Sequence, residues 1–247
     1  MDRMLYIAMT GARETMRAQA VNTNNLANAS TPGFRADLET AVSLPLYGPG
    51  QPSRVFGVTE GNGLDGSPGV IHQTGRELDV AVRDDGWIAV QAPDGGEAYT
   101  RAGDLRVNSL GLLTTGAGHP VLGDGGPIAI PPNAKLEIGA DGTISIRPLG
   151  QGANALAVVD RIKLVKLAPD QVTKGEDGLI RTRSGEPVEA DASVTLVSGA
   201  LESSNVNAVE AMVRLMELAR QYETQVKLMK TAQENDAAAA QLLRANG

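Results

Sequence analysis

The chain has 247 residues, 42% apolar and only 3% aromatic side chains, a formal charge of −7, two histidines and no cysteine. The lack of cysteine excludes a thiol nucleophile, a Cys-ligated metal and a disulfide framework. With so few large rings, the core has to be built from Val, Ile, Leu and Ala. Residues 1–35 hold four Arg against two acids and residues 201–247 hold five basic against six acidic side chains, so a charge of −8 falls on 36–200. An acidic middle between near-neutral ends offers no basic face, and nucleic acid is excluded as a partner. No apolar h-region precedes the charged residues Asp2, Arg13, Glu14 and Arg17, so no cleaved signal is expected. No segment approaches 18 apolar residues, so no direct membrane insertion is expected.

The first predicted element is a helix from about Asp2 to Asn28. Leu5, Met9, Ala12 and Met16, followed by Gln19, Thr23 and Leu26, repeat at 4-3 spacing along it. It ends before Ala29-Ser30-Thr31-Pro32-Gly33, because Pro32 removes a donor and restricts Thr31. Asn22, Asn24, Asn25 and Asn28 crowd its last turns. Asn is a mediocre helix former, which leaves either C-capping at a frayed end or amide bonds that fix register against neighbouring helices.

Residues 36–69 read as an extended linker. Leu44 to Pro52 carries three prolines, and Gly57 to Gly69 is rich in glycine, part polyproline-like and part strand. A β region follows over about 70–199. Asp79–Val82 and Trp87–Gln91 flank Arg83-Asp84-Asp85-Gly86 as an expected hairpin. Pro93–Gly96 turns back to Ala98–Arg101, and Asn108–Gly111 joins Leu105–Val107 to Leu112–Thr114. Asp124-Gly125, Asp141-Gly142 and Asp177-Gly178 punctuate further strands, among them Ile128–Ile130, Thr143–Ile146 and one strand over Arg161–Lys166. The fold class expected is α+β: a discontinuous helical coiled-coil domain from both termini (1–35 and 200–247) around a mainly antiparallel β sandwich or open barrel.

Ser193–Val197 is the last predicted strand. The helix after it runs for about 40 residues, with Ser203, Ser204 or Asn205 as its cap. Leu201, Asn205, Ala208, Met212, Leu215, Ala219, Tyr222, Val226 and Met229 set a strict heptad phase, and Gln233, Asp236, Ala240 and Leu243 continue it. The N-terminal stripe is its natural antiparallel partner. Such a pair still leaves Val206, Val209, Val213, Met216 and Leu218 facing outward and in need of neighbours. Heterologous contacts that do not close build filaments.

No site for chemistry emerges. His72 and His119 sit beside strand and turn signals without metal-ligand spacing. The Asp-Gly pairs, Asp84-Asp85 and Glu176-Asp177 read as turns. Gly61-Asn62-Gly63-Leu64-Asp65-Gly66 matches a dinucleotide fingerprint in letters only, since Ser67-Pro68-Gly69 breaks the helix that it needs. No catalytic residue, cofactor or metal is assigned, and the chain reads as a structural protein. A trimeric fibre or adhesin module and a cell-wall enzyme are the rivals from other classes; the first requires a closed oligomer, the second a carboxylate pair in a cleft.

Asn24-Asn25-Leu26-Ala27-Asn28-Ala29-Ser30-Thr31-Pro32-Gly33-Phe34-Arg35 strongly resembles the N-terminal signature of the bacterial flagellar rod and hook axial proteins. Leu201-Glu202-Ser203-Ser204-Asn205-Val206-Asn207 resembles that family's C-terminal signature. Asp85–Val90, Tyr99–Gly103 and Gly118–Gly123 look like its rod-type β domain. The length suits a rod member with one β domain. Ser30–Arg35 and Arg161–Lys166 resemble the proximal rod form, with the distal form as the alternative. The resemblance implies export through the flagellar type III apparatus without a cleaved signal and assembly in the periplasm as part of the basal body. It implies contacts with copies of the chain and with inner and distal rod subunits, an inner helical domain and an outer β layer. On this reading Leu5, Met9, Ala12, Met16, Asn22, Asn25, Leu26, Asn28, Pro32, Gly33 and Phe34 belong to the assembly interface. So do Leu201, Asn205, Val206, Asn207, Met212, Leu215, Tyr222, Val226 and Met229.

Overall fold

The computed structural model describes residues 4–45, 55–148, 150, 156–168 and 171–245. The architecture is α+β. Two helices, α1 (Met4–Ala27) and α2 (Ala208–Ala245), bracket the strands. The first strands are β1 (Asp37–Pro45), β2 (Val55–Leu64), β3 (Ile71–Gln73), β4 (Val80–Val82), β5 (Gly86–Gln91) and β6 (Glu97–Thr100). Short strands follow: β7 (Arg106–Val107), β8 (Leu113–Thr114), β9 (Leu122–Gly123) and β10 (Gly126–Pro127). The remainder are β11 (Asn133–Ile138), β12 (Thr143–Pro148), β13 (Ala157–Arg161), β14 (Leu164–Lys166), β15 (Val172–Lys174), β16 (Ile180–Thr182), β17 (Leu196–Ser198) and β18 (Ala200–Glu202).

The chain divides into two compact units. Unit 1 comprises Met1–Ala27, Asp37–Gly63 and Asn207–Gly247; unit 2 comprises Asn28–Ala36 and Leu64–Val206.

Unit 2 is built around a five-stranded sheet in the order β14-β5-β6-β16-β15. Strand alternation sends successive side chains to opposite faces. Ile88 and Val90 of β5 therefore enter a large core with Leu105, Leu113, Val121, Ile128, Ile144 and Ile162. Trp87 and Ala89 enter a smaller one with Tyr99, Val165, Val172 and Ile180. This strand is buried on both faces, which explains its continuous apolar run. The Asp-Gly turns are where the sequence places them: between β9 and β10, β11 and β12, and β15 and β16. The hairpins β5–β6 and β7–β8 also form as expected.

Other expectations are corrected. The hairpin expected across Arg83–Gly86 is not a ladder: β4 pairs with the distant β17, and β5 pairs with β6 and β14. Arg161–Lys166 is not one strand. It divides at Ile162 between β13, in the β11-β12-β13 sheet, and β14, in the central sheet. Ile128–Ile130 contributes only a bridge, Leu112 to Ala129.

In unit 1, residues expected as linker form β1 and β2, which pair in a two-stranded sheet. The proline-rich Leu46–Pro52 stretch lies outside the described residues. No Gly or Pro interrupts Ala208–Ala245, and Ala, Leu, Glu, Gln and Lys dominate it, so α2 runs 38 residues, about 57 Å. Its cap is Asn207 rather than Ser203, Ser204 or Asn205: Asn207 Oδ1 accepts from Val209 N at 3.1 Å and Glu210 N at 3.4 Å. Leu201 and Asn205 thus lie before the helix and cannot belong to its heptad row; Leu201 sits in β18, opposite His72 of β3.

Candidate assembly interface

In unit 1, α1 packs along α2, and two contacts fix their direction. Asn22 Nδ2 donates to the Ala211 carbonyl at 2.8 Å, and a Cβ placed on Gly11 would lie 2.9 Å from Gln225 Nε2. Partners that rise on one helix as they fall on the other describe an antiparallel approach. The buried side chains of α1 are Ala8, Ala12, Thr15 and Asn22; those of α2 are Ala211, Leu218 and Ala232. Leu215, Tyr222, Gln225 and Met229 are partly buried between them. The phase read from the sequence is displaced by one residue over half its positions. Of the expected residues, Ala12 is buried, Leu215, Tyr222 and Met229 are partly buried, and Leu5, Met9, Met16, Met212 and Val226 are exposed. Leu218, expected outward, points inward.

The exposed residues form coherent rows. Met9 is 53% exposed, Met16 55% and Met212 52%. Val209, Met212, Val213 and Met216 share the outer side of the first turns of α2, and Leu5, Tyr6, Met9 and Met16 line α1. Four of the seven methionines of the chain stand on these rows, and Met is the apolar side chain that adapts most readily to a partner surface. From Gln233 to Gln241, α2 is exposed all round.

The signature asparagines hold backbone, each within its own unit. Asn25 of unit 1 grips the start of β1: its Nδ2 donates to the Asp37 carbonyl and its Oδ1 accepts from Asp37 N, both at 2.9 Å. Asn205 of unit 2 accepts from Ala36 N at 2.8 Å and donates to the carbonyls of Asp65 and Ser67 at 3.2 and 3.1 Å. A bidentate amide of this kind substitutes for a strand partner. Of the four expected asparagines in α1, Asn22 reaches the other helix, Asn25 reaches a strand, and Asn28 starts the turn into Thr31, accepting from its N and Oγ1 at 3.1 Å. Leu26, Pro32, Phe34 and Val206 are partly buried.

The two terminal signatures meet inside unit 2. Arg35 Nη2 lies 2.6 Å from Glu202 Oε1, and Arg101 Nη1 lies 3.0 Å from Glu202 Oε2. All three side chains are buried, Glu202 to 1% exposure. Burial lowers the proton affinity of Arg101 and the Glu202 carboxylate opposes that effect. Gly69 N donates to Glu202 Oε1 and Gly33 N to the Glu202 carbonyl, each at 2.8 Å. Arg101 donates to the carbonyls of Gly86 and Asp84 and stands 5.5 Å from the Trp87 ring centre. Lys174 Nζ lies 3.8 Å from the Phe34 ring centre and donates to the Arg35 carbonyl. Gly33 is fixed in the left-handed region (φ 67°), and a Cβ there would sit 2.2 Å from the Arg101 carbonyl carbon. In the sequence, Arg35, Arg101 and Glu202 stand inside the signatures with nothing local to give them a role. Charged residues next to apolar strand residues were the available signal.

The expected turns carry the other acids. Asp177 accepts from Leu179 N at 3.1 Å and pairs with Arg181 at 2.7 Å, which holds its carboxyl below the usual range. His72 is exposed on β3, and His119 is partly buried in a turn whose amide bonds to Thr115. Among the described residues, no helix is long and apolar enough to cross a membrane.

The sequence is similar to known proteins over nearly its full length. Residues 5–35 match the flagella basal body rod protein model, 81–146 the flagellar hook protein FlgE/F/G D1 domain, and 197–242 the flagellar basal body rod FlgEFG protein C-terminal model. The chain is 45% identical to the flagellar basal-body rod protein FlgF of Escherichia coli, over 98% of this chain and 99% of that protein. It is 44% identical to FlgF of Salmonella typhimurium over the same shares. It is 30% identical to FlgG of Buchnera aphidicola, over 93% of this chain and 95% of that one. The chain belongs to the flagellar basal-body rod protein family.

Proposed function

We propose that this chain is a structural subunit of the proximal part of the flagellar rod, polymerising through the outer faces of α1 and α2 to carry torque. The observation that carries the reading is the pair of uncovered methionine-rich rows on helices whose ends match rod-family models. Monomeric proteins rarely leave such rows open, and apolar rows at helical spacing fit between neighbouring helices. Copies of this chain and other rod subunits, inner and distal, are the partners proposed. Heptad packing of the coiled-coil type is proposed between subunits as well as within one. The helices make the inner assembly layer, and the β region of about 70–199 makes the outer one. Packed helices resist compression, so rotation imposed at one end is delivered at the other.

Export by the flagellar type III apparatus without a cleaved signal, and residence in the periplasmic rod, complete the proposal. Identity of 45% and 44% to two FlgF proteins, over nearly the full length of each, favours the proximal position over the distal one. Catalysis has no part in it.

The test is incorporation. Basal bodies from cells producing Met212→Asp or Met16→Asp should lack this subunit while the soluble chain keeps its unit 2 transition. Normal basal-body yield and swimming in both variants would sink the proposal.

A further inference from the structure

The Arg35–Glu202–Arg101 cluster is short of negative charge. Two guanidiniums share one carboxylate, and Arg35 Nε and Nη1 have no hydrogen-bond partner among the described residues. Arginine has no accessible neutral form, so neither cation can escape burial by losing a proton. Without Glu202, the same interior would hold two like charges with no buried counter-ion, only the exposed Asp85 carboxylate still acting on Arg101, a state that a marginally stable domain does not tolerate.

Chain order makes this deficit directional. Both arginines and the strands β3 to β17 precede Glu202. Glu202 also ties down three further pieces of backbone: Gly33 through its carbonyl, Gly69 through its carboxylate, and β3 through the β18 ladder. A chain made from its N-terminus onward therefore contains every core residue of the β sheets before it contains the one anion that its buried cations require.

We propose that Glu202 is the closing element of unit 2. The β region cannot shut around Arg35 and Arg101 until the segment of residues 200–206 docks, so a closed unit 2 is a mark of a chain complete through that segment. Docking of Glu202 belongs to the rate-limiting step of folding and is not a late adjustment.

The chain carries its own reporter. Trp87 is the single tryptophan, is nearly buried, and lies against Arg101. Stopped-flow refolding and unfolding of the full chain, followed at Trp87, would compare the parent with Glu202→Gln, which removes the charge and keeps the shape. Refolding should slow on the order of a hundredfold, with the unfolding rate changed by less than about threefold. A refolding rate within about twofold of the parent, with the loss appearing only in unfolding, would place Glu202 after closure and overturn the proposal. If Glu202→Gln reaches no closed state, Glu202→Asp is judged by the same rates. The triple replacement Arg35→Met, Arg101→Met, Glu202→Met should refold at least as fast as the parent, because no buried charge then waits for a partner. A triple variant that is slow or unfolded would assign the effect to shape and overturn the proposal as well.

Discussion

Unit 1 and unit 2 solve the problem of burial in opposite ways. Unit 2 sandwiches its central sheet between two apolar clusters and pairs its buried charges internally. Its strands are short, but those of the central sheet carry the buried side chains of both clusters. Unit 1 packs its long helices through Ala8, Ala12, Ala211 and Leu218 and leaves Leu5, Tyr6, Met9, Met16, Val209, Met212, Val213 and Met216 in solvent. An isolated helix pair of this kind has little apolar area to offset the entropy of ordering it. Burial completed within one region and left open on the other is the division of labour that the proposed polymer subunit requires.

The comparison breaks most completely at Met212. Aspartate there has no cost in a free chain, where the side chain is half exposed. In an assembly that covers the row, it buries an unpartnered carboxylate at a cost of several kcal/mol. Loss of assembly with an unchanged Trp87 melting profile is the expected result. The next largest effect falls on unit 2 alone. Gly33→Ala combines a left-handed backbone with a clash against Arg101 backbone, and should lower the stability of unit 2 by about 2–4 kcal/mol. Thermal unfolding followed at Trp87 would measure it, and an unchanged transition would show that the Pro32-Gly33 turn does not pack as described.

Much of this was legible beforehand, for reasons that differ by region. The Asp-Gly turns are local chemistry, so β9–β10, β11–β12 and β15–β16 could be read from neighbouring residues. The pairing of β4 with β17 spans more than a hundred positions and leaves no local mark, so the turn signal at Arg83–Gly86 points to the nearer strand instead. On the helices, a seam was sought among the largest apolar residues. Leu215, Tyr222 and Met229 do lie partly buried between the helices, but Leu5, Met9, Met16, Met212 and Val226 stay exposed, because Ala8, Gly11 and Ala211 let the two helices approach closely while carrying almost no hydrophobic signal. Asn205 sits in register with the heptad of α2 by spacing alone; its side-chain amide donates to the carbonyls of Asp65 and Ser67, which no periodicity reveals. The Arg35–Glu202–Arg101 cluster escaped because its members are more than sixty residues apart from one another and each reads as an ordinary surface charge.

Tyr99 allows a pH test of unit 2. Burial is the main cause that pushes its phenol up to about 12, opposed by the Val188 amide that donates to it and helped by the Glu97 carboxylate that accepts its hydrogen bond at 2.9 Å. A group whose folded pKa lies above its unfolded value of 10 favours the folded state while protonated. The stabilisation is therefore fully present below pH 10 and is lost as pH rises from 10 to about 12. It amounts to on the order of 2 kcal/mol. Urea unfolding at pH 9 and pH 11.5 should show that loss in the parent and a shallower one in Tyr99→Phe. Equal alkaline slopes would remove Tyr99 from the account.

The smallest expected effect concerns unit 1 and is the sharpest on geometry. Asn22 is the buried polar side chain that reaches from α1 to α2, and truncating it to Ala should cost only about 1 kcal/mol. Its larger consequence is register. Ala, Thr and Leu repeat along both helices closely enough that a slip of seven residues preserves most apolar contacts, while only one alignment brings Asn22 to the Ala211 carbonyl. The chain has no native cysteine, so an engineered pair, Gly11→Cys with Gln225→Cys, reports that alignment without interference. In the parent background this pair should oxidise more readily than Gly11→Cys with Leu218→Cys or with Ala232→Cys. Adding Asn22→Leu should spread the yield over the three pairs. An unchanged preference would mean that the small-residue contact alone sets the register, and that Asn22 is a satisfied polar group with no part in choosing it.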